Sequence, residues 1–457
     1  MCWTLPARSP RTAGRLFALL CSAALTTSLV NGCAPTTTPP ANAGDAGVKI
    51  STGTPQGVRA KQIMDMLNSG WPIGPVGTKT LAAPAVVEYV WLTMDSMWYD
   101  RPYTLAGIDF HAGAATLHLV TSYGGRQDIE FRVNDNTLVD RFRVTNQPPE
   151  IDSWDDVDAA LSKTGGKYSY RVSRVTDGRC EQIAGTNTAE SLPMASIFKM
   201  YVLYAVAETV KAGSLTWDEE LTITDKAKAL GSSGFDKLPP GTKVPVRELA
   251  EKMIANSDNM ATDLLIERVG RKAVEQALVH AGHHDPASMT PFPTMHELFS
   301  IGWGKPDVRE QWKQAGPAGR AELLKDADSR VYEPDPTRGT SPASAYGAEW
   351  YGSAEDICRV HAGLQQIAKE PATAPVRDIM SAIPGIDLDR GRWPYIGAKA
   401  GNLPGDLTFS WYAEDNSGQG WVVSLQANWT RFHGPGTAGW LMSVIKPTFG
   451  LIPHPIS

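Results

Sequence analysis

Positive charge is scarce in this sequence: 43 Lys and Arg stand against 49 Asp and Glu, a formal charge of -6. A chain of that balance lacks the field that holds a polyanion, so no nucleic-acid partner is expected. Long apolar runs are missing after the first 33 residues, so nothing later in the chain is read as a membrane span. No H-E-x-x-H occurs, and neither a metal nor another cofactor is expected. Cysteine is sparse at five. What the chain does have is a globular composition, with 42% hydrophobic and 20% charged residues, 14 Trp and 13 Tyr. At 457 residues it is long enough for two or three compact units.

The first stretch reads as an export signal. "RSPRTAGR" is a basic n-region, and "LFALLCSAALTTSLV" is an apolar segment too short to span a bilayer comfortably. It ends at "VNGC", which resembles the lipobox of bacterial lipoproteins. That resemblance implies a signal over residues 1–32 and a lipid on Cys33, hence attachment to the outer face of the cell membrane. Loss of Arg8, Arg11 and Arg15 with the signal leaves the mature chain more acidic, at -9. Cys2 and Cys21 leave with it, so Cys180 and Cys358 remain for an oxidising compartment, either paired or as two separate buried thiols.

Residues 33–57 have the Thr, Pro, Ala and Gly composition of a flexible tether. Two helical patterns follow, "VRAKQIMDMLNSG" and "PAVVEYVWLTMDSMWYD", and the hydrophobic period then switches to two in "YTLAGIDFH", "AATLHLVTS", "QDIEFRV" and "LVDRFRV". This predicts a small α+β domain over 58–150, helices followed by an antiparallel meander. From 151 to 457 the order is helix, strand, several helices, strands, and a last helix "AGWLMSVI". The fold class is α+β throughout, the second domain having one sheet built from both of its ends with a helical cluster between them. The Pro-, Gly- and Trp-rich stretch of about 302–349 reads as a long loop, a lid or an insertion.

Within "LPMASIFKMYVLYAVAETV", Ser196 stands at a helix start, where backbone N–H groups and the positive end of the dipole point at its oxygen. Lys199 lies one turn on, on the same face. Its apolar neighbours desolvate it, which lowers an ammonium's pKa toward the range where it accepts a serine proton. A second element, Ser257-Asp258-Asn259, sits between two helical segments, and a third, Lys399-Ala400-Gly401, lies on an edge strand before the last two strands.

In this order the three elements resemble S-x-x-K, S-D-N and K-T-G of the class A β-lactamases and related penicillin-binding enzymes. Ser257 follows Ser196 by 61 residues, close to the family's spacing of about 60. The resemblance runs from about Ile151 onward. It implies Ser196 as the acylated nucleophile, Lys199 as its base and Ser257 as the proton relay to the leaving group. Asn259, Lys399 and Gly401 would position substrate, and the backbone N–H groups of Ser196 and Asn402 would form the oxyanion hole. A literal Lys163-Thr164-Gly165 precedes the nucleophile, closes a helix and is a decoy. The two-domain plan is also similar to the cephalosporin-esterase-like proteins of clavulanic acid clusters and to the mycobacterial β-lactamase-like lipoproteins of the LpqF type. That likeness implies a ketosteroid-isomerase-like first domain.

Three departures bear on activity. Position 400 is Ala, so a hydroxyl that would hold a substrate carboxylate is missing. No E-x-x-L-N segment lies between Asn259 and Trp303, and Glu297 reads as an exposed helix residue, so the glutamate that activates deacylating water has no counterpart. Lys399 follows Ser257 by 142 residues, against about 104 in the family, and the surplus fits the insertion. "VHAGHHD", with His280, His283, His284 and Asp285, reads as a polar helix end and loop rather than a zinc site. The expected activity is a serine hydrolase acting on a small-molecule ester, β-lactam or peptide, with efficient β-lactam turnover doubtful. The alternatives are a binding or regulatory lipoprotein, docking a protein partner through its first domain, and a D-alanyl peptidase.

Overall fold

A computed structural model describes residues 48–224 and 234–453. The export signal, Cys33 and most of the tether lie outside them. No helix among the described residues is long and apolar enough to cross a membrane. Contacts divide the described residues into two units: those up to Gly165 together with His433–Pro453, and Gly166–Phe432.

In the first unit, helix α1 (Pro55–Leu67) begins three residues before the sequence-based boundary. Thr54 caps it by accepting from the Gly57 N–H at 3.2 Å, and Pro55 supplies a preset φ. Ala60, Ile63 and Leu67 recur at helical spacing and are buried, as are Val90, Met94 and Met97 of α2 (Val87–Trp98). Strands β1 (Thr104–His111), β2 (Ala114–Val120), β3 (Arg126–Val133) and β4 (Val139–Gln147) pair antiparallel in that order. Alternate residues enter the core, Ala115, Leu117 and Leu119 from β2 and Ile129 and Phe131 from β3.

Helix α3 (Trp154–Ser162) and the C-terminal helix Pro435–Ile445 group by contacts with this unit, whereas the sequence-based boundary at 150/151 places both in the second domain. The reason is a buried carboxylate. Asp100 accepts from the Gly434 N–H at 2.8 Å and the Thr437 hydroxyl at 3.0 Å, so it caps the last helix from outside that helix's own sequence. Lys163-Thr164-Gly165 ends α3, with Gly165 at φ 68°, as expected of a decoy.

In the second unit the sheet order is β11-β12-β13-β5-β6, all antiparallel, formed by β5 (Lys167–Thr176), β6 (Arg179–Thr186), β11 (Tyr395–Leu403), β12 (Asp406–Glu414) and β13 (Gly420–Asn428). The short pairs are β7 (Leu192–Pro193) with β10 (Tyr351–Gly352), and β8 (Glu220–Thr222) with β9 (Lys243–Pro245). Strands from both ends of the domain thus share one sheet, with β11 at its edge. Between them in sequence run α4 (Lys199–Lys211), α5 (Val246–Ala255), α6 (Asn259–Val269), α7 (Arg271–His280) and α8 (Met295–Trp303). Helix α4 is buried on almost every side, which is why its sequence is apolar nearly all round.

One expectation is corrected here, and one question that the sequence left open is answered. The 302–349 stretch is not a structureless loop, because it contains α9 (Arg309–Gln314) and α10 (Pro317–Asp328). Trp312, Leu324 and Ala327 join the main core, and the Trp312 indole donates to Gly347 O at 2.9 Å. Pro317 at the first helical position and the three-residue spacing of Leu324 and Ala327 are the local reasons for helix. Cys180 and Cys358, whose pairing the sequence left open, form a disulfide between β6 and α11 (Ala354–Ile367), across 178 residues of chain.

Candidate active site

The nucleophile turn is a short 3-10 segment, Ala195–Phe198, that leads directly into α4. Ala195 has φ 44° and Ser257 has φ 56°, both in the left-handed region without being glycine. Each such residue costs roughly 1–3 kcal/mol and persists only where its surroundings hold it. Both lie in the two segments singled out by sequence.

Lys199 is fully buried at the first position of α4. Its ammonium donates to Ser257 O at 2.6 Å, Ser257 Oγ at 3.2 Å and Asn259 Oδ1 at 2.5 Å. Lys399, also buried, donates to the same Ser257 Oγ at 3.0 Å and to Ala400 O at 2.7 Å. One hydroxyl therefore bridges two ammonium groups that reach it from a helix and from the edge strand. The Asp258 carboxylate accepts from the Ala261 N–H at 2.8 Å as the N-cap of α6.

Gly401 brings β11 against the nucleophile. A Cβ there would stand 2.4 Å from Ser196 N, 2.8 Å from Thr408 Oγ1 and 3.0 Å from Ala195 Cβ, so only glycine permits this approach. Opposite it in register is Thr408, whose hydroxyl reaches Met194 O at 2.9 Å and Gly401 O at 3.2 Å. Asn402 follows, paired with Leu407, and is partly exposed, while Ala400 is exposed on the strand. The sequence-derived set Ser196, Lys199, Ser257, Asn259, Lys399, Gly401 and Asn402 thus converges on one region.

Sequence reading missed the residues that support this set from behind. Ser410, opposite Lys399, donates to Lys399 O at 2.9 Å and is itself met by His361 Nε2 at 2.9 Å. Burial pushes the His361 imidazole down to about 3, which keeps it neutral. Trp350 accepts from the Met194 N–H at 2.8 Å through its carbonyl and stacks on Phe198 with ring centres 3.7 Å apart. The signal for the strand residues was their alternation along β12, which puts Thr408 and Ser410 on one face. Trp350 and His361 carried none.

Glu297 is a correction. It is buried, not exposed. It closes a capping box with Thr294 at the start of α8 and pairs with Arg271 at 2.6 Å. Nearby Asp263 accepts from the Met295 and His296 N–H groups at 2.7 and 2.9 Å. Burial, with the charge of Glu297 adding to it, pushes the Asp263 carboxyl up to about 7 against those two N–H bonds and Lys199. Both acids are thus occupied in holding α8.

The histidines divide as well. His280 pairs with Glu208 at 2.6 Å, while His283, His284 and Asp356 bring potential ligand atoms within 4.8 Å of one another. The chemistry of that trio does not suit a metal. His283 Nδ1 accepts from the Asp285 N–H at 3.1 Å, so its Nε2 carries the hydrogen given to Tyr351 O at 3.0 Å and offers no lone pair. Asp356 is engaged as the cap of α11 by Ser353 and by the His284 N–H.

Comparison with known proteins agrees with this architecture. The N-terminal part of the chain, residues 51–139, matches the family described as ORF 12 gene product N-terminal. The extended-spectrum β-lactamase PER-1 of Pseudomonas aeruginosa is 35% identical over 150 residues, 32% of this chain and 46% of that protein. β-Lactamase VEB-1 of the same species is 25% identical over 99 residues, 21% of this chain and 33% of that protein. The matched stretches therefore span less than half the length of either relative. Among solved structures, a β-lactamase from Sphaerobacter thermophilus DSM 20745 shares 19% identity at a TM-score of 0.46, over 66% of this chain and all of that one. PBP-A shares 16% at 0.44, over 67% and all. The profile of the beta-lactamase enzyme family matches residues 152–385, just over half of the chain, and the chain belongs to that family.

Proposed function

We propose that the chain is an exported serine hydrolase, lipid-anchored at Cys33 on the outer face of the cell membrane, that acylates Ser196 and acts on esters, or slowly on β-lactams. The observation that carries this reading is the Ser257 hydroxyl, held 3.2 Å from the Lys199 ammonium and 3.0 Å from that of Lys399. A hydroxyl between two amines passes a proton in either direction. In its neutral form Lys199 takes the Ser196 proton as Oγ attacks the substrate carbonyl. The N–H groups of Ser196 and Asn402 receive the charge that develops on the carbonyl oxygen. As the tetrahedral intermediate collapses, the proton moves from Lys199 through Ser257 to the departing oxygen or nitrogen, and Lys399 offsets the negative charge of the relay. Water then hydrolyses the acyl ester on Ser196.

That last step is slow in this reading, because Asp263 and Glu297 are committed to backbone amides and Arg271 and neither is available to activate water. Esters suit the acylation half of such a site because an alkoxide leaving group departs more readily than an amide nitrogen. A second reading, a binding or regulatory lipoprotein, is favoured by one feature: Ala400 is exposed where a hydroxyl would grip a substrate carboxylate. In either reading the first unit is ketosteroid-isomerase-like and available to a protein partner.

A 3'-acetoxy cephalosporin distinguishes these outcomes. Acetate release with the β-lactam ring intact, abolished in Ser196→Ala, supports esterase action. Opening of the β-lactam ring, with acetate expelled from C3' as the ring opens, also abolished in Ser196→Ala, supports the β-lactam branch, and absence of both products contradicts the hydrolase.

A further inference from the structure

Two buried acids outside the site described above belong to the two segments that hold its nucleophile turn. Glu349 immediately precedes Trp350, and Asp406 is the first residue of β12, opposite Leu403 across the turn from β11. Their carboxyl groups face each other closely enough that each acts on the other's charge. The outer oxygens are already taken. Glu349 Oε1 accepts from the Trp350 N–H at 2.8 Å, and Asp406 Oδ1 accepts from Asn428 and, at 3.3 Å, from the Ser344 hydroxyl. Glu349 Oε2 and Asp406 Oδ2 are buried and meet no other donor among the described residues. A single proton between them satisfies both, and without it two buried carboxylates face each other with nothing between.

Both segments grip the same residue. Met194, two places before Ser196, gives its N–H to Trp350 O at 2.8 Å and its carbonyl to the Thr408 hydroxyl at 2.9 Å. Trp350 follows Glu349 directly, and Thr408 lies two residues after Asp406. The acid pair therefore closes a ring: Glu349 to Trp350, Trp350 to Met194, Met194 to Thr408, Thr408 to Asp406, and Asp406 back to Glu349.

We propose that Glu349 and Asp406 are positioning residues for acylation, and that the proton they share holds the Ser196 turn against Gly401 and Asn402 of β11. The proposal rests on Ser196 being the acylated residue. Burial, followed by mutual repulsion, pushes the Glu349 carboxyl well above the usual carboxylate range, and burial raises Asp406 in the same direction, so the shared proton is present at neutral pH. The other titratable groups around the pair are the Tyr351 phenol, which donates to Ser344 O at 3.0 Å, and Arg320, whose guanidinium lies 4.9 Å from the Trp312 ring centre. The folded-state pKa lies above the unfolded one, so the stabilisation is present at low pH and is lost as pH rises and the shared proton goes to water.

The test follows acylation of the full chain by a chromogenic cephalosporin from pH 6 to 10, with thermal unfolding of the same proteins. Wild type is expected to lose acylation rate on the alkaline side by about tenfold per pH unit. Glu349→Gln keeps a donor toward Asp406 and removes the ionisation. It should leave the neutral rate within about twofold and move the alkaline decline up by at least about one pH unit. Asp406→Asn should move the decline likewise, while Glu349→Leu, which removes the bond, should lower the rate at least about tenfold at neutral pH. An alkaline decline unchanged in Glu349→Gln and Asp406→Asn, with wild type acylating normally, overturns the proposal. Wild type that forms no adduct at any pH overturns the reading of Ser196 instead. The melting temperature then still reports the pair: it should fall toward high pH in wild type and fall by less in Glu349→Gln, where the contribution of Asp263 remains.

Discussion

Gly401→Ala puts the closest approach in the site under strain. The added methyl would stand 2.4 Å from Ser196 N, about 1 Å inside ordinary contact, with Thr408 Oγ1 at 2.8 Å and Ala195 Cβ at 3.0 Å closing the other sides. None of these atoms is the free end of a flexible side chain, so the strand must back away from the turn. Overpacking of this kind costs about 1–3 kcal/mol, or about 2–4 °C in melting temperature per kcal/mol for a domain of this size. The effect on chemistry is larger, because a displacement of about 1 Å between reacting groups costs on the order of 100-fold in rate. The assay is the second-order rate of acylation measured by intact mass, with calorimetry on the same sample. Gly397→Ala on the same strand is the control: its methyl meets Tyr395 and Met380 at 3.0 and 3.2 Å, so it should cost stability and spare acylation. If Gly401→Ala acylates at the wild-type rate with unchanged stability, the close approach of β11 to Ser196 is not part of the machinery.

Other perturbations give distinct signatures. Lys199→Met should lower acylation by about 100- to 10,000-fold, the range for a lost general base, while the protein remains folded; a normal acylation rate would remove Lys199 from its role. Cys358→Ala opens a cross-link spanning 178 residues, worth about 5 kcal/mol in the chain-entropy limit, and should lower the urea midpoint; an unchanged midpoint would show that the bridge does not constrain the unfolded chain. Asp263 has a folded-state pKa of about 7, above its unfolded value, so its stabilising contribution is present at low pH and is lost as pH rises through 7. Wild type should accordingly melt lower at pH 8 than at pH 5, and Asp263→Asn should narrow that difference.

The sequence made the chemistry easier to read than its support. Ser196, Lys199, Ser257 and Lys399 stood out because S-x-x-K, S-D-N and K-A-G follow one another in the order of a known signature set, with the first two at its spacing. The four-stranded meander of the first unit was legible because its period-two pattern is clean. Strand β6, "RCEQIAGT", was missed because most of its residues are exposed or half-exposed and no alternation marks it. The helices of 309–328 were hidden by flanking Pro and Gly, which read as loop although Pro317 starts a helix. Glu297 was misread because a capping-box glutamate has the same sequence pattern whether the helix end faces water or a buried Arg271 partner. The contacts of the last helix with the first unit were not legible because its capping carboxylate, Asp100, lies more than 300 residues earlier. Contacts of that range leave no local trace.

The central claim is that Ser196 is acylated, and the most direct measurement is peptide mapping of the full chain by mass spectrometry after incubation with a cephalosporin. The account predicts an adduct on the peptide containing Ser196 that persists for minutes, forms far more slowly in Lys199→Met and is absent in Ser196→Ala. An adduct on another residue, or one that survives in Ser196→Ala, would contradict it.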